Sequence, residues 1–192
     1  MNKKILVSIL AVVILAFVHL AKAQQAKKIP RIGFLASGAN SENTRRILRQ
    51  GLRELGYVEG KDFTVVYRSA EGKFDQLPAL AAELVRLKVN VIVTQGTPAA
   101  VAAKNATKTI PIIISGGTDP VATRLVQSLA RPGENITGVT IMNEELAGKR
   151  LELLKETSPK VSRLGVLWNS ANPGAAVVFK QTKFLTSRFL RW

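Results

Sequence analysis

The sequence predicts an α/β protein built on a doubly wound parallel sheet, and three observations support this. From Pro30 onward, short apolar segments alternate with amphipathic helical segments, a rhythm typical of a parallel sheet covered by helices on both faces. Small and polar residues such as Ser37 and Gly96 follow the apolar segments, where strands of such a sheet end. Hydrophobic residues make up 46% of the chain, enough to bury a core.

Each element follows from its local pattern. Apolar runs predict strands at 31–37, 63–67, 89–95, 110–115, 136–142 and 162–169. Apolar residues at helical spacing, with capping or stop residues around them, predict helices at 43–55, 74–88, 98–107, 119–133 and 143–158. Five strands thus precede Met142. The helix after Met142 leads to a sixth strand, which would begin a new α/β unit reaching to about Lys180.

The first 23 residues have the pattern of a cleavable signal peptide. Lys3 and Lys4 precede an apolar run from Ile5 to Leu20, and Ala21-Lys22-Ala23 offers small residues for cleavage. The alternative is a membrane anchor, but the run of about 16 residues is slightly short to span a bilayer. Because the chain has no cysteine to carry a lipid, we expect a free, soluble protein in the periplasm.

Composition argues against most enzyme mechanisms. The chain has no cysteine, and its one histidine, His19, lies in the predicted signal peptide. The exported chain would therefore lack the commonest general base, the commonest zinc ligand and every Ser-His or Cys-His mechanism. We expect no catalytic activity, no metal and no cofactor. The net charge of +15 is spread over helix faces apart from the tail, and with the export signal it predicts no nucleic-acid partner.

Candidate ligand contacts lie in the loops after the strands, because ligands of open parallel sheets bind outside the carboxyl ends of their strands. These loops are small and polar, and they lack the phosphate-binding glycine motifs. These loops contain Ser37, Asn40, Gln95, Gly96, Thr97, Thr118, Asp119, Asn169 and Asn172.

Two of these loops allow a structural as well as a functional interpretation. Gly96 lets the backbone approach a ligand, and amide groups at the helix start near Pro98 favour a carboxylate by about 0.3–1 kcal/mol. Alternatively, Thr97 only caps that helix and Gly96 only turns the chain. Asp119 could accept a hydrogen bond from an ammonium or hydroxyl group, or could simply cap the helix predicted to begin at Pro120.

The order of several blocks resembles one family, the periplasmic substrate-binding proteins of ABC transporters related to tryptophan and tyrosine binders. The resemblance runs from about Pro30 to about Lys180 and is carried by blocks such as RIGFLASG, VIVTQGTPAAVAAK, IPIIISGGTDPV, ARPGENITGVT and LGVLWNSANPGA. It implies the type I periplasmic-binding-protein fold, in which two α/β lobes close on a ligand.

The resemblance also implies a domain organisation. Residues 24–142 would form lobe one, and 143–180 would hold the crossover helix and the first strand and helix of lobe two. It further implies that Thr97 and the amides after it hold the carboxylate of an amino-acid-like ligand. The candidate ligand contacts that it implies are Ser37, Asn40, Gln95, Thr97, Thr118 and Asp119 in lobe one, and Asn169 and Asn172 in lobe two. Expected partners are that ligand and an ABC permease in the inner membrane, and we expect a monomer.

The chain departs from the family after Lys180. The basic, aromatic tail 181–192 stands where a family member continues its second lobe, so we expect a truncated or frameshifted copy with a poorly ordered tail. The alternative is a genuine short helix that lies on a membrane or a partner lobe. Two other functions are kept open: a sensor or receptor module on the same fold, and an α/β enzyme.

Overall fold

A computed structural model describes residues 28–39, 42–141 and 143–189. Within these residues the chain forms five parallel strands in one sheet. The strands are β1 (Arg31–Ala36), β2 (Thr64–Ser69), β3 (Val91–Gln95), β4 (Ile112–Ile114) and β5 (Ile136–Gly138). The helices are α1 (Glu42–Glu54), α2 (Leu77–Arg86), α3 (Thr97–Ala106), α4 (Asn143–Thr157) and α5 (Pro173–Phe189).

The strand order is β2-β1-β3-β4-β5, so the chain moves to one side of β1 and then to the other. Phe34 on β1 is in register with Tyr67 on β2 and with Val93 on β3, all in parallel ladders. This arrangement is the doubly wound sheet that the sequence predicts. The direction reverses between β1 and β3, which is where a crevice opens at the carboxyl edge of such a sheet.

The core lies between the sheet and the helices that follow β2 and β3. Its largest fully buried apolar side chains are Leu35, Leu77, Leu84, Ile92 and Ile112. Burying one such side chain contributes about 1.5–3 kcal/mol. The alternation of strand and helix therefore forms an apolar interior within residues 28–39 and 42–141, for which we keep the name first lobe.

An ion pair joins the edge of this sheet to α2. The Arg68 guanidinium donates to both carboxylate oxygens of Glu83, at 2.6 Å and 2.8 Å. The hydrogen bond to Arg68 holds the pKa of Glu83 below its usual value, and the same bond raises the pKa of Arg68. Both side chains remain 31% exposed, so solvent screens much of their attraction.

A polar clamp joins the end of α3 to the start of β5. Asn135 Nδ2 donates to the carbonyl oxygens of Ile110, at 2.6 Å, and of Thr107, at 3.4 Å. Thr107 Oγ1 in turn accepts from the backbone amides of Thr109 and Ile110. The Asn135 side chain therefore closes the turn before β4 and fixes it beside β5.

The helix predicted at 119–133 does not form, and one turn takes its place. The amide of Thr123 donates to the Asp119 carbonyl, but Arg124 then has a left-handed φ of 57°. Lys104 Nζ donates to the carbonyl oxygens of Arg124 and Leu125. In a continuing helix these two oxygens would instead accept hydrogen bonds from later backbone amides. The prediction was wrong here because a long-range side-chain contact ends the helix.

The strand predicted at 162–169 also does not form. Residues 161–169, hereafter the open segment, pair with no strand in the part of the chain that the structure describes. Leu167 is fully exposed, and Val166 and Trp168 are about 40% exposed. A strand needs a neighbour for its backbone hydrogen bonds, so the apolar pattern alone does not produce one. The strand predicted at 136–142 similarly reaches only Gly138.

Helix α5 runs without a break across residue 180 and packs against α4. The sequence becomes basic and aromatic from residue 181, but the helix continues through this position to Phe189. The last three residues and the predicted signal peptide lie outside the described residues. No helix in the described ranges is long and apolar enough to cross a membrane.

Candidate functional site

The candidate residues of the first lobe lie in loops at the carboxyl edge of the sheet. Ser37 follows β1, Gln95 ends β3, and Thr118 and Asp119 lie in the loop after β4. Gln95 is exposed, whereas Thr118 and Asp119 are half-buried. Asn40 lies outside the described residues, so its predicted role stays a prediction.

Ser37 has a structural role that the sequence did not reveal. Its Oγ accepts a hydrogen bond of 2.9 Å from the backbone amide of Ala99, the third residue of α3. Ser37 therefore acts as a helix cap supplied by a different loop. Gly96, at φ 88°, allows this approach, because a Cβ there would lie 2.9 Å from Ser37 Oγ.

Thr97 does not cap its own helix, contrary to one interpretation of the sequence. The helix begins at Thr97 itself, and Gly96 holds the capping position without a side-chain bond. Thr97 is buried, with 3% of its surface exposed, and its Oγ1 accepts from the amide of Thr118 at 3.1 Å. Thr97 thus joins the loops after β3 and β4.

The amides after Thr97 are already engaged in this conformation. Ala99 donates to Ser37 Oγ and Ala100 donates to the Gly96 carbonyl, while Pro98 has no N–H group. The implied role of these amides in holding a carboxylate therefore does not fit this conformation.

Asp119 is the cap that its position before Pro120 indicates. Its Oδ1 accepts from the amides of Val121, at 2.7 Å, and Ala122, at 3.0 Å. The cap serves the single turn at 119–123 rather than the helix that the sequence predicts. A direct role of Asp119 in ligand binding stays a prediction.

The two candidates beyond the first lobe lie at the start of α5. Asn169 Oδ1 accepts from the Ala171 amide at 2.9 Å. Asn172 Oδ1 accepts from the amides of Gly174, at 2.9 Å, and Ala175, at 3.4 Å, and so caps α5. Both asparagines therefore shape the loop that begins this helix, and their side-chain oxygens are used within it.

The start of α5 meets the first lobe at the threonine pair. A Cβ placed on Gly174 would lie 2.6 Å from Thr97 Oγ1 and 2.7 Å from Thr118 Oγ1. Such distances are shorter than real Cβ contacts, so only glycine fits this approach. The structure thus brings Thr97 and Thr118 next to the helix that Asn172 caps.

An open groove of about 370 Å³ lies beside this contact. Thr118 and Asn172 line it together with Arg150, and the stacked rings of Trp168 and Phe179 form an apolar side, with centroids 4.6 Å apart. Sequence reasoning missed Arg150, because a basic residue on a predicted helix gives no distinguishing signal. Trp168 was expected inside a sixth strand rather than on a groove.

The groove offers recognition groups rather than reactive ones. A threonine hydroxyl, an asparagine amide and a guanidinium can bind polar or anionic parts of a ligand, and the aromatic pair can contact an apolar part. Among the described residues, no group of three histidine, cysteine or acidic side chains could hold a metal ion. The arrangement suits binding of a small molecule.

The fold and the site together define a class, the type I periplasmic binding proteins, whose solved structures share this parallel sheet. More specifically, the chain belongs to the ABC transporter substrate binding protein family, whose sequence model matches residues 28–189. Members of this family are extracellular or periplasmic proteins. They are solute-binding proteins and not enzymes.

Several relatives show how much of such a protein the chain represents. It is 32% identical over 158 residues to a tyrosine-binding protein of Clostridioides difficile, covering 81% of this chain and 45% of the relative. A conserved domain protein of Vibrio cholerae superposes with a TM-score of 0.78 at 32% identity, covering 85% of this chain and 55% of that one. The chain thus spans about half the length of these relatives.

A third relative has been solved with a ligand. The ABC domain from Streptococcus pneumoniae, in complex with L-Trp, is 28% identical with a TM-score of 0.75, covering 84% of this chain and 54% of that one. The fold and family predicted from the sequence are therefore confirmed, whereas the individual ligand contacts remain predictions.

Proposed function

We propose that this chain acts as the solute-binding component of an ABC importer, delivering a small amino-acid-like ligand to a permease in the inner membrane. The observation that carries the proposal is the meeting of Thr97 and Thr118 with the start of α5, beside an open groove. The loops after β3 and β4 thereby meet the start of α5 beside a groove large enough for a small ligand.

The chemistry of the groove supports an amino-acid-like ligand with an apolar side chain. Arg150 and Asn172 can bind a carboxylate, and the Trp168–Phe179 pair can pack against an aromatic or aliphatic group. Relatives that bind tyrosine or L-Trp make these two amino acids the first probes.

Export is part of the same proposal. Residues 1–23 would direct the chain across the inner membrane and be removed. In the exported monomer, residues 24–142 would form lobe one, residues 143–180 would begin lobe two, and residues 181–192 would follow. A permease partner follows from the importer role. Retention of the first 23 residues, seen by mass spectrometry of the exported protein, would contradict this part.

The binding test is calorimetric titration of the chain with L-tyrosine and L-tryptophan. We expect saturable binding that weakens about 2- to 10-fold in Thr118→Val, which keeps the side-chain shape but removes one hydrogen-bonding hydroxyl. Thr109→Val is the matched control, because Thr109 is exposed between α3 and β4, at the opposite edge of the sheet. Equal affinity in Thr118→Val and wild type would argue against a site at this groove.

A further inference from the structure

We propose that Gly174 is a positioning residue that sets how closely the start of α5 can approach the first lobe, and thereby sets ligand affinity. The inference deepens the proposed function and rests on it. The distances from a Cβ at Gly174 to Thr97 Oγ1 and Thr118 Oγ1 are 2.6 Å and 2.7 Å, and the distance to Thr118 Cβ is 2.9 Å. Any side chain at position 174 would therefore separate the two units.

The contact has the character of a protein interior. Gly174 is buried, Thr97 is 3% exposed, and Thr97 Oγ1 already accepts from the Thr118 amide. On the other side, Asn172 fixes the first turn of α5 through the amides of Gly174 and Ala175. Both surfaces are held by their own hydrogen bonds, so they meet as preformed surfaces with little freedom to yield.

The ligand would lie beside this contact rather than within it. The amides of Ala99 and Ala100, which follow Thr97 in α3, already have hydrogen-bond partners, so we do not place the ligand on them. Thr118 and Asn172, however, also line the open groove next to it. The spacing that Gly174 permits therefore fixes the distance between the groups that would bind a ligand from the two sides.

A cysteine pair tests the contact without any ligand. The chain has no native cysteine, so Thr118→Cys with Gly174→Cys introduces the two thiols alone. Their Cβ atoms would need to move apart by about 1 Å to reach the spacing of about 3.8 Å in a disulfide. We expect rapid oxidation to an intramolecular disulfide. The control pair, Thr118→Cys with Gly165→Cys, should not form it, because a Cβ on Gly165 has no neighbour within 4 Å.

The second test separates spacing from folding. Gly174→Ala lies in the first turn of α5, where the higher helix propensity of alanine, worth up to about 1 kcal/mol, offsets part of the overpacking cost. The ligand-free variant should therefore fold and melt within a few degrees of wild type. Its Kd for L-tryptophan or L-tyrosine should nevertheless rise at least about tenfold, because one extra methyl group overpacks the contact. Gly165→Ala should leave the Kd unchanged.

The outcomes distinguish this inference from the proposed function. A missing disulfide in the Thr118→Cys, Gly174→Cys pair would overturn the inference, as would unchanged affinity in Gly174→Ala when the wild type binds. If the disulfide forms but the wild type binds neither amino acid, the contact stands and the proposed ligand class fails. Weakened binding in Gly174→Ala together with a melting temperature within a few degrees of wild type would support the inference.

Discussion

Strand β3 and the open segment have similar sequences and different structures. Both are short apolar runs ending in a polar amide residue, VIVTQ at 91–95 and LGVLWN at 164–169. Strand β3 lies between β1 and β4, and Ile92 is completely buried. In the open segment, Leu167 is completely exposed. The comparison shows that an apolar run provides the propensity, but a strand forms only where a neighbouring strand pairs with it.

The largest effect should come from removing one leucine from each region. Leu84 packs beneath the sheet with none of its surface exposed, so Leu84→Ala should lower the free energy of unfolding by about 2–5 kcal/mol. Leu167→Ala should change it by less than about 0.5 kcal/mol, because Leu167 is already in water. Urea denaturation of both variants measures the difference. Comparable losses would mean that Leu167 is buried in solution.

A pair of glycines should give a somewhat smaller contrast. Gly138 ends β5 at φ 146°, and a Cβ there would overlap the backbone of Ile114 on β4. Gly138→Ala should therefore cost about 2–3 kcal/mol of stability through strain and loss of the β4–β5 pairing. Gly165→Ala, in the open segment, meets nothing and should be nearly neutral. Thermal melting of the two variants checks this, and a neutral Gly138→Ala would contradict the edge pairing.

The smallest effect should come from acid, acting on the Arg68–Glu83 ion pair of the first lobe. The pKa of Glu83 is lowered on folding by its bond to Arg68, so its contribution to stability is present above its ordinary value of 4.5. That contribution is lost as the pH falls below 4.5 and Glu83 takes up a proton. Between about pH 5 and pH 3, the melting temperature of Glu83→Gln should fall less with decreasing pH than that of wild type. Beyond Glu156 the chain has no acidic residue to add to this titration.

Most of the first lobe could be predicted because its signals are local. Apolar runs, Pro98 near the start of α3 and the polar strand ends all act over a few residues, and the sheet of β1 to β5 followed from them. The failures have long-range causes. Lys104 ends the turn after Asp119 from 20 residues away, and the open segment lacks a neighbouring strand among the described residues.

The sequence could predict which loops meet at the carboxyl edge of the sheet, but not what their side chains do there. The rule that ligands bind at the carboxyl ends of parallel strands placed Ser37, Thr97 and Thr118 in one region. Sequence could not show that Ser37 caps α3 across 62 residues, because hydroxyl groups give the same local signal in a loop and in a cap. The role of Gly174 depends on an approach between two units, which spacing along the chain does not encode.

The clamp made by Asn135 bears on how the protein should be produced. Asn135-Ile-Thr and Asn105-Ala-Thr both fit the pattern that glycosylating secretory hosts modify. A sugar on Asn135 Nδ2 would replace a hydrogen that this nitrogen uses to hold the turn before β4. Asn105 is exposed on α3 and could carry a glycan on the folded chain. In such a host, glycosylation at Asn135 would have to precede folding, and it would leave this nitrogen with one hydrogen for the two carbonyls of Ile110 and Thr107.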